Sequence, residues 1–575
     1  MNKTFSNMLT RLARDYILSA KFLIAVCLTL IATLAYVSGI FDRIENLTLD
    51  HRFKIREIQD ISPKIVLVEV AEDSIKSIGR WPWDREWHAT IVKALKDMGA
   101  SSVAFDVLFS EEADPQTDLL FANMIKSADN VFLPVAFADI VQRSGGGLLQ
   151  SMPLLAEHVK GEGHISITPD DDGILRRIRV AISGPKKIYF QLGFRMALHE
   201  LGVDTKDVRL ARNEVIIPLV GQPDIKVPLT EQGDMIINWP GKWSDTYKHV
   251  SFIDTVVTYT QWLKGEKTRI PVDIFKDAIV VIGVSATGLY DIRATPLEPA
   301  YPAMGVNATV INSLLENKFV VTASDKANIL ILWLMSALIF LIMLRTNYLH
   351  SMLMIIGIAA CHTVIAVIAF VYFGFVIAVI YPLFLILSSY VALTAYHQII
   401  ITLEKTRLMR LATTDSLTGM YNIGHFKRLL QAEMASMELR SKKDICLIMS
   451  DGDKFKYVND TFGHSYGDEV LRAIADIMKT NCRALDVAAR YGGEEFIVML
   501  PGAPIEAAVK VAEKMRSTIE AREFILGKDK VKHPVTASFG VTAYISGETM
   551  EDMFKRVDAG LYEAKNGGRN KVVVA

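Results

Sequence analysis

Four apolar stretches, each about as long as a bilayer is thick, constrain what this chain can fold into. They are "KFLIAVCLTLIATLAYVSGI" (residues 21–40), "NILILWLMSALIFLIML" (328–344), "SMLMIIGIAACHTVIAVIAFVYF" (351–373) and "FVIAVIYPLFLILSSYVALTAY" (375–396). Runs of this length with almost no charge predict membrane-spanning helices. The first is long for the apolar core of a leader and shows no evident small-residue cleavage site, so it reads as an uncleaved anchor. Basic residues set the orientation. Lys3, Arg11, Arg14 and Lys21 lead into the first stretch, Arg345 lies between the second and third, and Lys405, Arg407 and Arg410 follow the fourth. The connection between the third and fourth is essentially Gly374, without charge. All three basic groups face the same side if there are four crossings with both ends in the cytoplasm. Residues 41–326 are then expected outside the cytoplasmic membrane. His362, inside the third stretch, is either part of a proton relay or a hydrogen-bonded, helix-facing residue.

A chain of 575 residues has room for two large folded units. Its net charge is -1 with no sustained basic tract, so nothing points to nucleic acid as a partner. Cys27 and Cys361 fall in apolar stretches and Cys446 and Cys482 near the end, which leaves the exported segment without a disulfide. There is no CxxC metal pattern.

The exported segment begins with a strand ("KIVLVEVAE", 64–72), a helix with a glycine stop ("WHATIVKALKDMGA", 87–100) and another strand ("SSVAFDVLF", 101–109). Strand, helix, strand predicts an α/β unit with parallel pairing. "AIVVIGV" (278–284) and "VNATVINSLLEN" (306–317) repeat strand and helix, while "EVIIPLV" (214–220) and "DMIINWP" (234–240) look like antiparallel additions. Asp106 follows a strand and is a candidate for the crevice at its carboxyl end, with a surface or capping role as the alternative. Asp170, Asp171 and Asp172 form either a cation site or a solvated turn. Trp81 and Trp83 read as core. Residues 285–288 form a loop after a strand, where anion binding is only weakly signalled.

Residues 42–325 resemble the CHASE2 family of extracytoplasmic sensor domains. The resemblance rests on "GRWPWDREWHA", "GASSVAFDVLFSE", "ITPDDDGILRRIRV", "INWPG" and "VIGVSATGLYDIRATPL", and on the arrangement of one span before the domain and three after it. It implies a sensor role with an unidentified extracytoplasmic ligand.

"YHQIIITLEKTRLMRLATTDSLTG" (396–419) continues the last span into water. Ile400, Leu403 and Arg407 have helical spacing, which suits a short coiled coil between two chains or a single amphipathic exit helix.

Residues 415–575 alternate helix and strand. "DICLIMSDGD" (444–453) is a buried strand ending in acids, and "VAARYGGEEFIVMLPG" (487–502) is a hairpin with Gly-Gly at its turn. Helices are predicted at 423–439, 467–482, 505–521 and 550–568, and a strand at 535–544. Asp451 and Glu494 converge if the strand and hairpin are neighbours. Carboxylates there suit a hard cation with substrate phosphates, and glycines admit a nucleotide closely; the alternative is surface acids on a tight turn.

"DSLTGMYN", "SDGDKFKYVNDTFGHSYGDEVL", "RYGGEEF", "SFGV" and "YEAKNGGRNKV", in this order and spacing, resemble the GGDEF domain of diguanylate cyclases across residues 411–575. The resemblance implies that Asp451 and Glu494 hold two Mg2+ or Mn2+ ions, helped by the Gly452 carbonyl, with Glu495 close by. Asn459 and Asp468 would read guanine, and aspartate suits its N1–H and amino donors. Phe455 and Lys456 would orient the triphosphate through backbone amides. Lys565 and Arg569, four apart and read as one helical face, would neutralise the β and γ phosphates. Gly492 and Gly493 would lie against base and sugar. Arg483 and Asp486, an RxxD pattern upstream, would bind product, with Lys514 or Arg516 contributing. Outside the site, Asp468 is also read as a possible helix cap. Two departures from the family pattern stand out: Ile423 follows Asn422 where arginine is frequent, and Gly452 stands where a larger residue is usual.

The whole is expected to be a multidomain α/β membrane protein. A signalling linker (397–414) would join the four spans to a cytoplasmic α+β, nucleotidyl-cyclase-like domain (415–575), behind a cytoplasmic N-terminus (1–20). The implied function is a sensor-regulated, homodimeric diguanylate cyclase in a bacterial cytoplasmic membrane, converting two GTP into cyclic di-GMP. The alternative is a catalytically silent receptor for cyclic di-GMP or GTP. No hydrolase motif of the EAL or HD type accompanies it.

Overall fold

The computed structural model describes residues 2–137, 147–185, 187–286, 288, 292–345, 348–439, 444–526 and 531–575. Thr287 and residues 289–291, which belong to motifs noted above, lie outside the described residues, as do the side chains of Lys3, Arg11, Arg14 and Arg345. The chain forms two compact units, Met1–Thr394 and Ala395–Ala575.

In the first unit the sheet runs in the order Lys248–Ser251, Ile65–Val70, Ile279–Val284, Ser102–Phe105, Val131–Phe137, and Gly161–His164 also pairs with Val131–Phe137. These pairings are all parallel. A parallel sheet needs cover on both faces, so its strands read as continuous apolar runs. Alternate residues serve the two covers. Val66, Val68 and Val70 join a core with Ile91, Val92 and Leu95. Ile65 and Leu67 join one with Leu192, Met196, Met304 and Ala308. The helix Arg85–Asp97 starts where the Asp84 carboxylate accepts from the Glu86 amide at 2.9 Å. It buries His88, Ile91, Val92 and Leu95, the spacing of one helical face.

The structure departs from the sequence-based expectations in several places. The second strand ends at Phe105, not Phe109; its last ladder bond is the Asp106 amide to the Ile282 carbonyl. The strands Glu214–Ile217 and Asp234–Ile236 are antiparallel but build separate small sheets, with Ile225–Pro228 and Arg177–Arg179. Asp170 and Asp172 are neither a cation cage nor merely solvated, because both pair with the buried Arg176 guanidinium. The amides of Ser285 and Ala286 both donate to the Val70 carbonyl, so they are not available to an anion. Trp83 is core, as expected, and Trp81 packs against it.

Four helices are long and apolar enough to cross a membrane: Ser19–Ser38, Asp325–Leu344, Leu349–Phe373 and Ile380–Thr413. The last starts later than residue 375. Gly374, at φ 63°, ends the preceding helix, and Phe375–Val376 pair with Val321–Thr322. His362 is buried, with Nε2 2.9 Å from the Ala378 carbonyl, which matches the hydrogen-bonded reading. Glu45, on the helix Asp42–Ile55, accepts from the amides of Val379 and Ile380 and so caps the last apolar helix.

Three histidines of this unit set a pH dependence. Burial pushes His88 and His164 down to about 3, whereas an unfolded imidazole titrates near 6.5. The folded unit refuses protons that the unfolded chain accepts, so this contribution is complete above pH 6.5 and lost below it. Two such groups cost about 2.7 kcal/mol per pH unit on the acid side. His249 has the opposite sign. Burial opposes its charge, but the Glu69 carboxylate at 2.6 Å raises it overall, so its contribution fades as pH rises above 6.5. Stability of this unit is expected to peak near pH 6.5 and fall more steeply on the acid side. All seven tryptophans lie in this unit, so melting of the full chain followed by tryptophan fluorescence reads it. A midpoint that rises on acidification from pH 6.5 to 5 would contradict this.

In the second unit a six-stranded sheet runs Tyr421–Asn422, Val487–Gly492, Glu495–Pro501, Ile445–Gly452, Ala537–Ala543, Val572–Val574. Ile445–Gly452 is antiparallel to both neighbours and buried throughout. Its even residues Cys446 and Ile448 face the helices His464–Asn481 and Ile505–Ala521. Its odd residues Ile445, Leu447 and Met449 face Ile423–Leu439 and Met550–Asn566. A Cβ on Gly540 would lie 2.2 Å from the Val557 carbonyl oxygen. The glycine of "SFGV" therefore lets the helix carrying Lys565 lie directly on the strand.

Candidate active site

The acids gather at the carboxyl end of the 445–452 strand. Asp451 sits directly opposite Glu495 in the antiparallel ladder, which puts both side chains on one face. Lys565, from the 550–566 helix, brings Nζ to 2.6 Å from Asp451 Oδ2. Asp451 is 8% exposed. Burial pushes its carboxyl above the ordinary range, against the pull of Lys565, and Glu494 and Asp453 push the same way. Glu495 is likewise raised, by burial and then by Asp451. Glu494 stands at the hairpin turn, and a Cβ on Gly452 would be 3.8 Å from the Glu494 Cβ. Asp451 and the hairpin thus converge as expected, and Glu495 is the first residue of the strand that follows the turn. Among the described residues no group of three His, Cys, Asp or Glu side chains could hold a metal ion by itself. The oxygen donors present still fit a hard cation such as Mg2+, which takes one or two carboxylates and completes its shell with phosphate and water.

The "GG" turn is held from behind. Gly493 has φ 52°, and nothing lies within 4 Å of a Cβ built on Gly492 or Gly493, so both face open space. Arg490 donates to the Gly493 carbonyl at 2.9 and 2.6 Å and pairs with Asp415 at 3.2 Å. Burial opposes the charge on Asp415, but hydrogen bonds from Thr418 and the Arg490 guanidinium keep its carboxyl below the ordinary range. Neither Asp415 nor Arg490 was singled out as a site residue, although both lie in recognised motifs.

On the other face, Phe455 is buried at the start of the helix Phe455–Phe462, and Lys456 is exposed. No side chain caps this helix; the Tyr457 amide donates to the Lys454 carbonyl, so the amides of Phe455 and Lys456 are the ones placed to meet an anion. Asn459 lies on this helix, and Asp468 on the next. A Cβ on Gly467 would lie 2.0 Å from Asn459 Oδ1, so that glycine lets the Asn459 side chain lie directly against the helix that carries Asp468. The second helix begins at His464 behind Gly463. Asp468 therefore sits inside it and is not its cap, in contrast to the sequence-based alternative.

Arg569 is a second correction. The helix stops at Asn566 because Gly567 and Gly568 end it, and Arg569 lies beyond it at φ 65°, exposed. Lys565 and Arg569 therefore do not share a helical face. The loop is anchored by Asp453, which accepts from Thr536 Oγ1 at 2.7 Å, Ser538 Oγ at 2.6 Å and the Asn570 amide at 3.0 Å. The second acid of "SDGD" was the available signal for this anchor.

Arg483 and Asp486 share one turn, where the Asp486 carboxylate accepts from the Arg483 amide at 2.7 Å. The Arg483 side chain is exposed and makes no ion pair among the described residues. Arg516 is engaged by Glu513, Glu520 and Asn570, which leaves Lys514 the more available of those two.

Comparison with known families agrees with this architecture. The CHASE2 domain family model matches residues 24–344, more than half of the chain. The chain belongs to the CHASE2 family. Beyond its CHASE2 domain it carries a second domain, since the family model "Diguanylate cyclase, GGDEF domain" matches residues 412–571. The GGDEF domain is 40% identical over 169 residues to the response regulator PleD of Caulobacter vibrioides, covering 29% of this chain and 36% of PleD. It is 38% identical over 178 residues to diguanylate cyclase A of Treponema denticola, covering 30% of this chain and 47% of that one. Among solved structures, the coiled coil and GGDEF domain of DgcB from Caulobacter crescentus, in complex with c-di-GMP, is 31% identical. It covers 33% of this chain and 99% of that one, with a TM-score of 0.32. The chain spans between about a third and a half of the length of these two curated relatives.

Proposed function

We propose that the chain is a membrane-bound, sensor-regulated diguanylate cyclase that joins two GTP into cyclic di-GMP with release of two pyrophosphates. The observation that carries this is the buried Asp451, facing Glu495 across the ladder with Lys565 Nζ at 2.6 Å. It concentrates carboxylate and ammonium groups at one strand end, beside a glycine turn open to solvent. The names of the GGDEF relatives support the reading.

In each bond-forming step the 3'-hydroxyl of one nucleotide attacks the α-phosphorus of the other. The new O3'–P bond forms as the bond to pyrophosphate breaks, pyrophosphate leaves with the electron pair, and the hydroxyl proton passes to solvent. Asn459 and Asp468 would hold the guanine edge, the carboxylate accepting from N1–H and the amino group. The amides at Phe455 and Lys456 would orient the triphosphate, and Lys565 and Arg569 would offset its charge. Asp451 and Glu494, with the Gly452 carbonyl, would hold two Mg2+ or Mn2+ ions. When bound, the ions neutralise phosphate charge and lower the pKa of the attacking hydroxyl. One domain would hold one GTP, so two copies must meet. The exposed Ile401, Leu408 and Leu411, which share one face of the exit helix, offer an apolar surface for pairing. Arg483 and Asp486 would bind product and limit synthesis.

The orientation that fits the basic residues puts the CHASE2 domain outside the cytoplasmic membrane and the GGDEF domain inside. The test is product identification after the purified full-length chain is incubated with Mg2+ and either GTP or ATP. Dinucleotide from GTP alone is expected. GTP bound without turnover would replace the cyclase with a silent receptor.

Gly467→Ala tests the base-binding pair. The added methyl would displace Asn459, so KM for GTP is expected to rise by about tenfold or more while kcat changes less. Unchanged KM would remove Asn459 from base recognition.

A further inference from the structure

The CHASE2 domain has a cavity of about 180 Å³ at the carboxyl ends of two parallel strands. Asp106 follows one strand and Ile165 and Ile167 follow the other; Gln191, Val306 and Asn307 complete the lining with Ala303. Ligands of open parallel sheets bind at this end. Two helices also start here. Gln191 is the N-cap of Leu192–Glu200, and Ala303 precedes Met304–Leu315, which has no side-chain cap. Their positive ends favour a carboxylate.

The decisive group is Asn307, which is 2% exposed. Its Oδ1 accepts from Gln191 Nε2 at 2.6 Å and from the Gly193 amide at 3.3 Å, and Gln191 Oε1 accepts from the Phe194 amide at 2.8 Å. This chain of bonds fixes both amide orientations. The Asn307 amino group therefore faces the cavity space as an accessible donor, without a partner among the described residues. Asp106 already has a partner, but a carboxylate has about four acceptor positions and can take another donor. Ile165, Ile167 and Val306 make the rest of the wall apolar. The volume corresponds to roughly six waters.

We propose that this cavity binds a small aliphatic α-amino acid. Its carboxylate accepts from the Asn307 amide and faces the uncapped helix start. Its ammonium meets Asp106, and its side chain rests on Ile165, Ile167 and Val306. This is the signal site that the sensor domain requires.

Isothermal titration of the full-length chain in nanodiscs tests it, with L-valine and L-leucine as probes. Isovalerate lacks the ammonium, and isoamylamine lacks the carboxylate. Saturable heat from an L-amino acid is expected, with binding weaker by about tenfold or more for both analogues. Asn307→Asp keeps the Oδ1 acceptor and replaces the donor, so it is expected to weaken binding by a similar factor, with a lower unliganded melting midpoint because it buries a carboxylate. Ala303→Leu fills the cavity and is expected to abolish binding if Asn307→Asp does not fold. No saturable heat up to about 10 mM, analogues that bind as well as the amino acids, or wild-type binding in the folded variants would each overturn the proposal. Binding heat does not depend on turnover, so failure here leaves the cyclase reading intact.

Discussion

Asp451→Asn is expected to lower cyclic di-GMP synthesis by about 10³-fold or more, the loss typical of removing a group that stabilises charge in the transition state. The same change is expected to leave the fold intact or firmer. Burial raises the Asp451 carboxyl, and Glu494 and Asp453 add to it. A raised carboxyl favours the folded state only where it is protonated, and that contribution is lost as pH rises through its folded value. At neutral pH the ionised Asp451 is therefore a burden on stability that asparagine removes. An active site held at the expense of stability gives this pairing of effects; a merely structural carboxylate would give the reverse. Initial rates and circular dichroism melting of the full chain measure both. A rate within tenfold of wild type, or a large loss of structure at full activity, would contradict the assignment.

The largest expected stability effect lies in the CHASE2 domain, at Arg176. Its side chain is 0% exposed. Nε and one terminal nitrogen donate to Asp50, both at 2.7 Å. The terminal nitrogens also reach Asp170 at 2.9 Å and Asp172 at 2.8 and 3.0 Å. Burial opposes the charge, but Asp50, Asp172 and Asp170 together hold the guanidinium above its ordinary value. Arg176→Met would leave Asp50, itself buried, without a counter-charge. Breaking a buried pair from one side costs about 3–5 kcal/mol, which lowers the melting midpoint by on the order of 10 °C. Asp50→Leu added to Arg176→Met is expected to recover much of the loss, because the stranded charge is then gone. A single variant within about 1 kcal/mol of wild type would show that the cluster is solvated. Asp50 belongs to the helix that follows the first apolar helix, so the cluster ties the "DDDG" turn to the base of the domain.

The elements marked by a helical period or a continuous apolar run were legible in the sequence. The apolar runs "IVLVEV" and "ICLIM" placed buried strands correctly, and the acids after the second marked the candidate site. What escaped depended on contacts between distant segments. Nothing local to "DDDG" reveals that Arg176 folds back on two of its aspartates and on Asp50. Nothing local to "SYGDE" reveals that Gly467 must lack a Cβ for Asn459 to fit. Lys565 and Arg569 had helical spacing, but two glycines between them ended the helix, a stop signal that should have outweighed the spacing. The Asp415–Arg490 pair joins the first motif to the third across 75 residues, a distance over which spacing carries no information.

The central claim is tested most directly by mass balance on the wild-type, full-length chain supplied with Mg2+ and GTP. Cyclic di-GMP and pyrophosphate in a one-to-two ratio, both absent with Glu494→Gln, is the predicted result. GTP consumed to GDP and phosphate, or no dinucleotide while the chain remains folded and paired, would contradict it.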